Sequence, residues 1–256
     1  DNIEAGCTVI TTSNYTATPL IWKAQEHDLD FIALTETALR LAEEAVKSGS
    51  NKDVLIAGCF PPINVSFRPD LSPSENELED YYEALAAVYK GNVDLILCET
   101  VASIDHAKAV LEAATATGKP VWLSLTVDDV DGTRLRSGEL LTDVLPIAQK
   151  AAAILINCAL PEAITASMEV LAKGNLPFGA YANGFTKITE AFLQDKPTVD
   201  ALTARQDLDP DAYAAFAMKW IGQGATIVGG CCEVGPAHIA KMAETITAAG
   251  HRIVAP

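Results

Sequence analysis

The strict alternation of short apolar runs with amphipathic stretches constrains this chain more than any other feature. Runs rich in apolar and β-branched residues at 7–12, 54–60, 95–100, 121–127, 152–159, 178–184 and 226–232 read as strands. Most are apolar on both faces, the pattern of parallel strands covered on both sides. Helical periodicity fills the gaps at 31–48, 75–89, 103–115, 139–151, 161–172, 210–223 and 236–248. Ser103 is placed to cap its helix, and Pro161, Pro210 and Pro236 fall in first turns, where a missing N–H costs nothing. Strand and helix taken in turn give a parallel sheet with right-handed crossovers.

Two architectures satisfy that pattern. A (β/α)8 TIM-type barrel needs eight strands, and the sequence supplies seven. Residues 1–6 read as the end of a helix feeding the run at Cys7, so the barrel reading expects one β/α unit before Asp1. An open doubly wound sheet is the competing reading. Either way, residues 1–256 read as one domain, with long Pro-, Ser- and Asp-bearing loops at 61–75 and 186–209. Both loops follow strand ends, where barrel enzymes keep their chemistry.

Composition narrows the function classes. Apolar residues make up 49% of the chain, enough for a sizeable core. The net charge of −16 argues against nucleic acid or an anionic membrane as partner. The expected partners are small molecules, and the pattern does not address oligomeric state. No run is long enough to span a bilayer, and the first residues carry no signal-peptide pattern. Six cysteines without a disulfide-scaffold spacing read as reduced, which points to a cytoplasmic protein. Cys7, Cys59 and Cys98 read as small buried hydrophobes.

The chemistry concentrates at Gly229-Gly230-Cys231-Cys232, which ends the last strand. Adjacent residues of a regular strand point to opposite faces, so these thiols converge only where the strand breaks. The two glycines permit that break. Asn157-Cys158 ends another strand, and in a barrel both ends open on one rim. Three thiolates with an open fourth position suit a catalytic Zn²⁺ rather than a structural one. A buried vicinal pair beside an unrelated cysteine remains the alternative. Histidine ligands are not expected: His106 and His238 fall in early helix turns, and His27 and His251 in polar stretches. A thiol-rich zinc with an open position points to activation of a substrate thiol.

Several segments, in order along the chain, resemble the homocysteine S-methyltransferase family. They are EAGCTVITTSNYTATP, DLILCETVASIDHAKAVLE, VWLSLTVDD, INCALPE, YANG and GGCCEVGPAHIAKMAETI, together spanning roughly residues 3 to 247. The resemblance implies a (β/α)8 barrel with zinc held by Cys158, Cys231 and Cys232. It places Glu99 on the substrate amino group, as the catalytic carboxylate, and Asn183 near the metal. Thr12, Asn14 and Tyr15 fall on the pocket-lining loop, and Asn157 is grouped with the substrate-binding residues. There are two departures. The family's opening segment, roughly Asp-Gly-Gly-Met-Gly-Thr with its substrate-binding acid, has no counterpart here. Glu233 stands where the family usually has glycine.

The implied reaction is methyl transfer to the thiol of homocysteine, giving methionine. The donor would be a sulfonium such as S-methylmethionine, with a quaternary ammonium such as betaine as the other option. Either cation favours aromatic faces, for which Tyr15 and Trp22 are candidates. The rival reading is a non-catalytic or redox-active barrel with a vicinal Cys231-Cys232 pair.

Overall fold

A computed structural model describes residues 1–24, 26, 29–51, 53–63, 66–71, 75–193 and 199–256. His27 lies outside the described residues. The seven strands expected from the sequence are all present: β1 (Val9–Thr11), β2 (Leu55–Phe60), β3 (Leu95–Val101), β4 (Val121–Leu125), β5 (Ala153–Asn157), β6 (Phe178–Ala182) and β7 (Ile227–Gly230). All pair in parallel and in strictly sequential order, β1 to β7. A doubly wound sheet reverses direction at a switch point; this one never does, so the open doubly wound alternative is wrong. Every crossover steps the same way, which keeps the helices on one face.

Side-chain burial shows what the other face meets. Alternate residues of the strands, among them Ile56, Ile96, Leu123, Ile154 and Ala180, belong to the large apolar cluster shared with the helices. Their neighbours Ala57, Leu95, Leu97, Trp122, Ala153 and Leu155 form a second cluster made of strand residues only. With no helix on that side among the described residues, Leu155 is still only 1% exposed and Trp122 only 7%. The sheet must therefore curl so that its inner face packs on itself, as in a barrel. Among the described residues no strand pairs with the free edge of β1 or of β7. They thus form seven staves of a TIM-type barrel rather than the full eight.

The helices are α1 (Pro19–Ala24), α2 (Phe31–Ser48), α3 (Glu75–Tyr89), α4 (Ile104–Ala116), α5 (Pro161–Leu171), α6 (Pro210–Gly222) and α7 (Pro236–Ala248). Asp30, Ser103 and Asp209 accept backbone N–H bonds at the starts of α2, α4 and α6. The short α1 has no counterpart in the sequence reading. The expected helix over 139–151 is a correction. That stretch forms two 3-10 turns, Leu141–Val144 and Ile147–Lys150. Pro146 sits between them; it offers no N–H and its ring crowds the carbonyl one turn back, so an α-helix cannot run through it.

One close approach fixes the sheet beneath the site. At Gly179 of β6 an added Cβ would fall on the backbone oxygen of its β7 partner, Ile227. Backbone cannot yield as a flexible side chain does. We therefore expect Gly179→Ala to destabilise the fold by at least about 2 kcal/mol, at the upper end of overpacking costs. Thermal or urea unfolding measures this; a variant as stable as the parent would contradict the β6–β7 packing.

Candidate functional site

Three strand ends meet at the carboxyl rim, and β6 sets their spacing. After β5, Cys158 turns into the left-handed region (φ 51°) while its N–H bonds Tyr181 O on β6 at 3.2 Å. After β7, the N–H of Cys231 bonds Ala182 O at 2.9 Å, and Gly184 N bonds Cys232 O at 2.8 Å. Gly230 permits the break: a Cβ there would fall on the Val234 side chain, which folds back beneath the turn. The three sulfurs lie within 4.8 Å of one another, with Cys231 and Cys232 at 3.9 Å. With metal–sulfur bonds of about 2.3 Å, a tetrahedral thiolate site needs sulfurs about 3.8 Å apart. The trio can hold a soft divalent ion. Contacts from the Cys158 and Cys231 thiols hold the Cys232 sulfur as thiolate, its pKa lowered to about 3. Cys231 is pushed up by Cys158 and then by Cys232. Cys158 also moves up: Cys231 opposes the rise, but the Cys232 sulfur and burial outweigh it.

Above the apolar inner layer, the barrel interior turns polar. Glu99, Ser124, Asn157 and Tyr181 stand one pleat nearer the rim than Leu97, Trp122, Leu155 and Gly179. A bulge in β3 between Cys98 and Val101 releases Glu99 from regular register, and bulges commonly re-aim a side chain beside an active site. Thr100, in that bulge, has φ 56°, a strained value for a β-branched residue. Asn157 clamps it: its Oδ1 accepts from Thr100 N at 3.0 Å and Ser124 Oγ at 2.8 Å, and its Nδ2 donates to Thr100 Oγ1 at 2.9 Å. The Glu99 carboxylate accepts from Tyr181 OH and from Cys59 Sγ, both at 3.0 Å. Burial raises its pKa, and those two hydrogen bonds oppose the rise. Asn183, at 0% exposure, uses Oδ1 to accept Phe185 N, while its Nδ2 is enclosed without a partner.

The chain that carries this rim is similar to known proteins. The family model described as homocysteine S-methyltransferase matches residues 1–246. The chain belongs to the homocysteine S-methyltransferase family. Homocysteine S-methyltransferase of Escherichia coli K12 is 26% identical, the match covering 94% of this chain and 81% of that protein. Homocysteine S-methyltransferase YbgG of Bacillus subtilis 168 is also 26% identical, over 73% of this chain and 58% of its own length. The metallated form of the Escherichia coli homocysteine methyltransferase MmuM superposes with a TM-score of 0.73 at 24% identity, covering 94% of this chain and 80% of that one. As family members do, the chain transfers a methyl group to homocysteine, and no described helix is long and apolar enough to cross a membrane.

The remaining residues expected at the homocysteine S-methyltransferase site differ in how they are placed. Thr12 and Asn14 are buried and committed to a network. Thr12 Oγ1 receives Cys59 N at 3.0 Å, and Asn14 Oδ1 accepts from Tyr89 OH at 2.9 Å. They tie the β1 loop to β2 and α3. Tyr15 reaches the rim, its hydroxyl bonded to Ser66 and close to Thr100, Glu99 and Cys158. Trp22 lies on α1 with its indole N–H on Thr16 O at 2.6 Å. His238 caps α7, accepting from Gly235 N and meeting Leu208 O, and His106 is buried against Tyr82. Glu233, at φ 64°, is exposed and outside the three-sulfur group.

The sequence reading missed several contributors. Tyr213 of α6 accepts from Ala182 N at 3.0 Å and donates to Gly229 O at 2.7 Å, stapling β6 to β7 directly below the cysteine turn. Cys59 and Tyr181 hold Glu99. The loop after β4 forms a small hairpin bearing Arg136, whose guanidinium is gripped by Asp129 and rests on the Phe67 ring at 5.0 Å. Phe67 in turn meets Phe192, and Arg68 donates to Leu193 O. Among these, the Cys59 thiol reads in the sequence as packing, and Tyr181 opens the YANG segment without a role of its own.

Metal uptake by this cluster must displace protons. The Cys232 thiol is shifted down and those of Cys158 and Cys231 up, so the metal-free cluster carries one shared negative charge near neutral pH. Titrating metal-free protein with Zn²⁺ in a weakly buffered indicator solution near pH 7 should release about two protons per ion. Apparent affinity should climb with pH on a matching slope. Release of three would show that no thiol is preionised.

Proposed function

We propose that the chain is a zinc-dependent homocysteine S-methyltransferase that draws its methyl group from a small sulfonium donor, S-methylmethionine being favoured. The observation that carries this reading is the convergence of Cys158, Cys231 and Cys232 from two different strands within 4.8 Å. A redox pair would need only Cys231 and Cys232; the third thiol from β5 is what a metal requires. Zinc is the ion that three thiolates with an open position suit best, and the metallated form of MmuM supports a metal here. When bound, zinc supplies the Lewis acidity that keeps a substrate thiol ionised at neutral pH.

The chain's own residues supply position. Glu99 meets the ammonium group of homocysteine, with Tyr181 and Cys59 fixing the carboxylate. The enclosed Nδ2 of Asn183 offers a donor that nothing among the described residues satisfies. Asn157 acts through Thr100, holding the bulge that aims Glu99, and Thr12 and Asn14 hold the loop that presents Tyr15. Fixing both ends of the acceptor aligns its sulfur for in-line attack on the donor methyl, and no methylated enzyme need form. Catalysis takes place in the single barrel domain formed by residues 1–256.

Purified protein should carry close to one zinc per chain and turn over homocysteine faster with S-methylmethionine than with betaine. Cys231→Ala should lose most of both zinc and turnover; full activity in that variant would sink the metal assignment. Glu99→Gln should weaken homocysteine binding by roughly 1.5–3 kcal/mol, the scale of a hydrogen bond to a charged group, with zinc content unchanged. Calorimetric binding together with metal analysis reads both quantities, and loss of zinc in Glu99→Gln would contradict its role as a pure substrate ligand.

A further inference from the structure

The hairpin after β4 lies against the Cys158 turn. Thr126 Oγ1 donates to Cys158 O at 3.4 Å, and Asp129 Oδ1 accepts from Leu160 N at 3.0 Å. Arg136 projects from this hairpin with its NH1 and NH2 groups on the two Asp129 oxygens at 3.0 and 2.9 Å. The side chains are 10% and 14% exposed, and Phe67 covers the guanidinium plane. Its Nε–H is enclosed and bonds nothing among the described residues. An enclosed donor left unmade costs about 1–3 kcal/mol, and a buried ion pair is seldom a net gain in stability. Such a group is kept where a ligand completes it. A guanidinium presents five N–H donors, of which Asp129 takes two, so a planar fork remains for another acid.

We propose that Arg136 is the receptor for the α-carboxylate of the thiol-bearing amino acid, and hence the residue that makes this site choose an amino-acid thiol over a simple one. The inference rests on the reading of homocysteine as acceptor and names how that acceptor's second charge is met. With a divalent ion on three thiolates the cluster is net anionic, and beside Glu99 it repels an entering carboxylate unless a cation stands nearby. Arg136 is that cation, borne on the hairpin that Thr126 and Asp129 bond to the Cys158 turn. The ammonium goes to Glu99, the carboxylate to Arg136 and the sulfur to the cysteine cluster, and three contacts fix the handedness of the bound amino acid as well as its charge.

Three thiols separate the contacts: homocysteine, 3-aminopropane-1-thiol without the carboxylate, and 4-sulfanylbutanoate without the amine. Calorimetry on the zinc-loaded protein gives Kd for each. Arg136→Gln should weaken homocysteine and 4-sulfanylbutanoate about 10- to 100-fold and leave 3-aminopropane-1-thiol unchanged. Glu99→Gln should weaken homocysteine and 3-aminopropane-1-thiol instead. Asp129→Asn combined with Arg136→Gln avoids a stranded carboxylate, and Arg136→Lys keeps the charge without the fork; the first should match the single variant and the second should show a smaller loss for the same two ligands. Equal weakening of all three thiols would make Arg136 a brace for the Cys158 turn and overturn the proposal. So would unchanged homocysteine affinity, or a parent protein that binds homocysteine no better than 3-aminopropane-1-thiol. Those results leave the methyltransferase reading standing, whereas a parent protein that binds none of the thiols removes both.

Discussion

The whole site depends on bringing sulfurs from β5 and β7 together across β6. Neighbouring strands of a sheet stand about 4.8 Å apart, so β5 and β7 are separated by roughly 9.6 Å of flat backbone. The three sulfurs nevertheless lie within 4.8 Å of one another. Curling of the sheet closes part of that distance. Local backbone closes the rest: Cys158 swings into the left-handed region, and the chain breaks after Gly230 so that both following cysteines turn over the end of β6. Hydrogen bonds from Cys158 N to Tyr181 O and from Cys231 N to Ala182 O make β6 the ruler for both movements. The Tyr213 hydroxyl, bonded to both β6 and β7, stops the ruler from slipping.

Holding chemistry at a rim has a conformational cost, and the braces show where it falls. Thr100, Cys158 and Glu233 all sit at positive φ at the ends of β3, β5 and β7. Each such residue stores on the order of 1–3 kcal/mol, offset by bonds from the scaffold behind it. Asn157 meets the Thr100 backbone and hydroxyl together, which is why a fully buried amide lies one residue before a cysteine of the cluster. The apolar layer of Leu97, Trp122 and Leu155 directly below supplies the rigid floor. An Asn157→Leu change would keep the volume and lose the aim of Glu99.

Much of this was legible in the sequence because it is periodic or local. Doubly covered parallel strands read as continuous apolar runs, and their number and order follow from alternation with helices. Gly-Gly before Cys-Cys signals a strand break in four adjacent residues. The helix expected at 139–151 failed because its apolar spacing is helical while Pro146 removes the central hydrogen bond. Bracing contacts were illegible for another reason: Tyr181 and Glu99 are 82 residues apart, and Asn157 and Thr100 are 57 apart. No local pattern announces such pairs. Arg136 sits in an aperiodic hairpin, and its meaning appears only once Asp129, Phe67 and the Cys158 turn are seen around it.

In the proposed reaction a thiolate attacks a sulfonium, so opposite charges disappear as the new bond forms. Water stabilises the separated ions more than the charge-spread transition state, and a drier site favours the reaction for that reason. The same reasoning limits how many carboxylates can help: each further anion near the sulfur would hold the cationic donor in its ground state. The rim follows this balance. Among the described residues Glu99 is the carboxylate that the polar inner layer engages; Tyr15, from the loop after β1, stands close to it, and the loops after β2, β4 and β6 meet one another through Phe67, Arg136 and Phe192. Aromatic faces attract a cation weakly and exclude water well. A site built this way binds the donor without trapping it and leaves strong, directional charge pairing to the acceptor, whose orientation decides whether attack is in line.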